Sequence, residues 1–209
     1  RNQSLIWTDN AVHAMEFVGP PFIFNFRQLG SNCGIAGQHA AIELDGRIFW
    51  MGAKDFFVYD GAVKALPCTV RRFVYDDFNF DQKEKVYAGT NQEFREVTWL
   101  YPSKNATEID RYVSYNPVEN YWTFGTTIFT TWEDKEVFQN VITTGQEADG
   151  DNYLYTNEPE GIYTADGQKQ EAFLESSEFD TTPPSYGPGD SIMYLDRIVP
   201  DFTINDGGR

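Results

Sequence analysis

Two cysteines and two histidines are all that this 209-residue chain carries of the side chains that most often ligate metals or shuttle protons. Cys33 and Cys68 are too few for a disulfide framework, so the fold must rest on a hydrophobic core. They read as small buried side chains of a protein made in a reducing compartment, with a bridge between the two left open. No apolar run reaches the roughly 18 residues of a membrane-spanning helix, and the opening residues do not read as a basic-apolar leader. Positive charge is also scarce. Sixteen Lys and Arg stand against 32 Asp and Glu, for a net charge of −16. This excludes gripping nucleic acid by phosphate neutralisation, which needs clustered Lys and Arg. The acidity fits plain solubility, or a surface that lets DNA pass without holding it.

Reactive constellations are sparse as well. His13 lies in an expected strand and His39 just ahead of one, and no Gly-x-Ser-x-Gly elbow accompanies them. Asp149-Gly150-Asp151 resembles the start of a calcium loop, but the glycine spacing and the closing glutamate of an EF-hand are missing. Carboxylate pairs such as Asp76/Asp77 and Glu158/Glu160 are expected by chance in so acidic a chain. Arg71, Arg72, Arg95, Arg111 and Arg197 are scattered rather than clustered. No catalytic, cofactor or metal site is therefore expected, and no cofactor. The two tripeptides of glycosylation type, at Asn2 and Asn105, carry no weight without a sign of secretion.

What the chain does have is aromatic bulk: 16% Phe, Trp and Tyr within 41% hydrophobic residues. Residues 40–67 organise the reading. They run AAIEL-DG-RIFWM-GAKD-FFVYD-GA-VKALP, four short apolar runs separated by three turns. Asp45-Gly46 and Gly61-Ala62 are hairpin signals, because glycine accepts the positive φ such turns need. Four antiparallel strands in under 30 residues make one blade of a β-propeller. Runs at 85–88, 96–102, 110–116 and 120–125 form a second set. Trp7, Trp50 and Trp99 are spaced by 43 and 49 residues, within the range of blade repeats. Trp50, Trp99 and Trp122 are accordingly expected in the blade cores. The tract YVSYNPVENYWTFG, residues 112–125, reads like a kelch hairpin.

The expected fold is thus all-β, with β-propeller-like blades of four antiparallel strands forming a partial propeller; solenoid and sandwich arrangements stay open. The propeller portion is expected over 1–170, with whole blades at about 40–67 and 83–125 and parts of blades on either side. Residues 4–9 and 12–17 form a hairpin, Gly19-Pro20-Pro21 then stops the sheet, and the alternating Phe22, Phe24 and Phe26 suggest a short strand with one buried face. Residues 70–79 predict a short connecting helix with Thr69 as its N-cap. Trp132 opens a further stretch that ends at 153–156. Residues 171–209 are expected to add β-strands, the start of a separate β-domain or a cover for one end. The chain opens on Arg1 and meets its first methionine at Met15, so it reads as a portion of a longer or processed protein.

Several tracts together resemble the tail tubular or nozzle proteins of short-tailed bacteriophages and related packaged-DNA stabilisation proteins. They are SLIWTDNAVHAMEFVGPPF, GSNCGI, RIFWMGAKDFFVYDGAVKALPCTVRRFVYDDFN, VYAGTNQEFREVTWLYPS, DRYVSYNPVENYWTFGT, FLESSEFD and RIVPDFT, in that order along the chain. The resemblance implies a virion structural protein with a β-propeller platform and no catalytic residues. It implies a homo-oligomeric ring, of about six copies, around the channel that seals, holds and conducts the genome during ejection. The implied partners are other tail proteins such as an adaptor and fibres, double-stranded DNA in transit, and the host cell surface. The implied location is the tail of a virion made in a bacterial cytoplasm. Asp76, Asp77, Glu147, Asp149 and Asp151 are then candidates for a lumen-facing acidic wall. A kelch-like protein-binding adaptor is the competing function, with a propeller glycosidase or lectin behind it. Phe22, Phe24, Tyr101 and Tyr121 are candidates for subunit contacts.

Overall fold

A computed structural model describes residues 3–134, 138–146 and 150–157, together with the backbone of 164–165 and 168–169. The chain divides into two compact units, Arg1–Glu158 and Pro159–Arg209. The fold is all-β. In the second unit the described part is one antiparallel pair, Thr164–Ala165 with Gln168–Lys169. The strands expected within 171–209 lie outside the described residues.

Four antiparallel sheets follow one another in the first unit. The first holds β1 (Gln3–Trp7), β2 (Ala11–Gly19) and β3 (Ile23–Ser31). The second is a four-stranded meander of β4 (Ala41–Leu44), β5 (Arg47–Met51), β6 (Phe56–Tyr59) and β7 (Val63–Ala65). After helix α1 (Arg71–Asp77) and a 3-10 helix (Phe80–Lys85) comes a second meander of β8 (Tyr87–Asn91), β9 (Glu96–Tyr101), β10 (Arg111–Asn116) and β11 (Tyr121–Thr126). The fourth sheet holds β12 (Phe129–Glu133), β13 (Ile142–Gln146) and β14 (Asn152–Thr156). The turns follow from their residues. Asp45 and Gly46 both take positive φ, 52° and 72°, as a tight hairpin matched to strand twist requires. In the two short turns of the third sheet Asn91 and Asn116 act differently: each side-chain oxygen accepts two backbone N–H groups of the turn it begins.

The second sheet is apolar on both faces, and this is what stacks the sheets. Ile48, Trp50, Phe57, Tyr59 and Val63 pack toward Trp7, Val12 and Cys33. Phe49, Met51, Phe56 and Val58 alternate to the other face and meet Val97, Trp99, Tyr101, Val113 and Tyr115 of the third sheet. An aromatic cluster fills that second interface. Phe56 lies 4.9 Å from both Trp99 and Trp122, and Trp122 stacks on Tyr115 at 4.6 Å. Trp50 and Trp99 are fully buried, while Trp122 is half-buried at the edge of the cluster. A small residue stands opposite each buried indole on the neighbouring strand: Ala41 opposite Trp50 and Ala88 opposite Trp99. Three indoles of this region also find a carbonyl, whereas the buried Trp7 nitrogen finds none. Trp50 donates to Cys33 at 2.9 Å, Trp99 to Ala40 at 3.1 Å and Trp122 to Pro67 at 3.0 Å.

Four expectations need correction. Gly19-Pro20-Pro21 does not stop the first sheet. The prolines occupy the turn, where no ladder N–H is needed, and β3 returns for nine residues against β2. Phe22, Phe24 and Phe26 are not on a buried face; they are 79%, 46% and 61% exposed. Thr69 does not cap α1: the N-cap is Val70, without a side-chain bond. The seven-residue helix is held instead by buried Val74, by the Tyr75 hydroxyl donating to Gly52 O at 3.0 Å, and by Arg71 on Asp55. The first strand of the second meander also begins later than expected, at Tyr87, because residues 80–85 form the 3-10 helix.

Both cysteines are free. Burial pushes the Cys68 thiol up to about 11, and burial likewise holds Tyr75 and Tyr101 above the ordinary phenol range. All three favour the neutral form in the folded state. Their contribution to stability is therefore complete below their unfolded values, near pH 9 for the thiol, and is lost as pH rises through the folded ones. The melting temperature is expected to hold between pH 7 and about 9 and then fall steadily, as thermal melts at fixed ionic strength will show. A melting temperature still flat at pH 11 would contradict the buried placement of these groups.

Candidate functional site

The first strands of the second, third and fourth sheets converge. His39, just before β4, bridges Tyr87 in a parallel step, and Ala88 N donates to His39 O at 2.7 Å. Their rings stack at 5.2 Å. On the other flank β12 lies against β8. The Trp132 indole donates to Thr90 O at 2.7 Å, and the Thr90 hydroxyl donates to Asp134 Oδ2 at 2.6 Å. This contact is possible because residue 89 is glycine: the Trp132 ring lies in the space that a Cβ there would take.

Between these strands lies a cleft of about 340 Å³. Glu43, Glu133 and Asp134 give it three carboxylates, Gln38 and Gln92 two amides, and His39, Tyr87 and Trp132 its aromatic walls. No lysine or arginine is among its lining residues. Glu43 is steadied by Gly46 N, which donates to its Oε1 at 3.1 Å and so ties the acid to the β4–β5 turn. Such a surface repels phosphate and offers carboxylate and amide groups to a hydrogen-bonding ligand. Among the described residues no group of three or more His, Cys, Asp and Glu is arranged to hold a metal ion, and no helix is long and apolar enough to cross a membrane.

Three of the acids singled out from the sequence sit elsewhere. Asp76 and Asp77 end α1, on the connection between the two meanders. Asp76 pairs with Arg72 at 3.4 Å, and Asp77 with Arg111 at 3.4 Å. Arg111 also holds Asp110 at 3.1 Å, so Asp76, Asp77 and Asp110 share two arginines. Asp151 is exposed beside β14. Glu147 and Asp149 lie outside the described residues. None of Asp76, Asp77 and Asp151 lines the cleft. Glu43, Glu133 and Asp134 do, and reasoning from acidic runs passed over them. A usable signal was present: counting back from each tryptophan to its small partner, Ala41 or Ala88, locates the first strand of each unit, and Glu43 follows two residues later.

No protein-family model matches the chain, and no curated protein sequence matches it.

Proposed function

We propose that this chain is a structural part of a short-tailed phage tail, in the nozzle or tail tube, and that its copies form a ring around the DNA channel. The observation that carries the reading is the acidic cleft, without a lysine or arginine in its lining, where the first strands of successive stacked sheets converge. A surface of that chemistry keeps a passing polyanion mobile, whereas a nucleic-acid-binding site would concentrate Lys and Arg there. The overall charge of −16 acts in the same direction, and the tracts that resemble tail nozzle proteins supply the rest of the argument. On this reading the contacts between copies are heterologous and close into a ring of about six; the adaptor and fibre proteins of a tail are the other partners.

The adaptor reading has one observation in its favour. The His39–Tyr87 stack and the Gln38 and Gln92 amides are groups that hold a peptide. Electron microscopy of the purified protein separates the two: rings support the tail reading, and a monomer that retains one partner protein supports the adaptor. Charge tests the cleft itself. The wild-type protein is expected to leave duplex DNA unretained in a gel shift. The double variant Glu43→Lys/Glu133→Lys is expected to bind it, with affinity falling about tenfold between about 50 and 200 mM salt, the slope of two new phosphate contacts. Virions carrying the variant are expected to eject DNA more slowly. Wild-type retention of DNA, or unchanged ejection by the variant, would sink the reading.

A further inference from the structure

We draw no further inference here: the strongest candidate, the carboxylate-lined cleft between β4, β8 and β12, belongs to the site already described, and neither of the buried side-chain atoms left unpartnered among the described residues, the Trp7 indole nitrogen and the Tyr101 hydroxyl, lines it to mark a ligand.

Discussion

Replacing Trp99 with alanine is expected to destabilise the fold by about 4 kcal/mol, a large share of an ordinary domain's stability. Trp99 is fully buried between the two meanders. Its ring meets Phe56 at 4.9 Å and Trp122 at 6.1 Å, and its N–H satisfies the Ala40 carbonyl. Alanine would open a cavity in the middle of this cluster and orphan a buried acceptor, two separate penalties. Trp99→Phe keeps most of the apolar contact and loses the hydrogen bond, so about 1–2 kcal/mol is expected. Urea unfolding followed by circular dichroism measures both. A Trp99→Ala cost below 1 kcal/mol would mean that the stacked sheets are not held by this interface.

The second large effect is expected at a residue with no side chain. Gly89→Ala places a methyl group where the Trp132 ring lies. The ring cannot simply swing aside, because its own Cβ stands only 2.7 Å from the new atom. β12 must therefore move away from β8, breaking the indole bond to Thr90 O and loosening Asp134 from the Thr90 hydroxyl. A loss of about 3 kcal/mol is expected, the upper range for overpacking. Limited proteolysis should show the fourth sheet released first. In a Trp132→Gly background both the ring and the Cβ that crowd the new methyl group are gone, and the same glycine substitution should cost under about 0.5 kcal/mol, so the pair must be strongly non-additive. Additive losses would show that the strain arises elsewhere.

Local chemistry explains what could be read from the residues. The two meanders were legible because their turns are short and written in Asp-Gly and Asn signals, and because alternating aromatics force a pleated surface with two apolar faces. The connecting helix was legible from the spacing of Val70, Val74 and Phe78, but not its cap, since Thr69 and Val70 compete within one residue of each other. β3 was misread because its alternation is real while its partner surface is solvent: period two reports which residues share a face and is silent on what covers that face. The cleft acids were hidden for a related reason. Glu43 and Glu133 are more than 80 residues apart in sequence and line one cleft only because β8 lies between their strands; Glu43 stands alone in its strand, and Glu133 opens a mixed charged run, 133–136, that reads as an ordinary solvated turn.

The indole hydrogen bonds have a direction. Trp50 reaches Cys33, Trp99 reaches Ala40, Trp122 reaches Pro67 and Trp132 reaches Thr90; every acceptor precedes its donor along the chain. A polypeptide emerging from the ribosome has therefore already delivered each carbonyl by the time the matching tryptophan appears. These four bonds therefore make no demand on residues still to be translated, so each new sheet can latch onto the chain that precedes it.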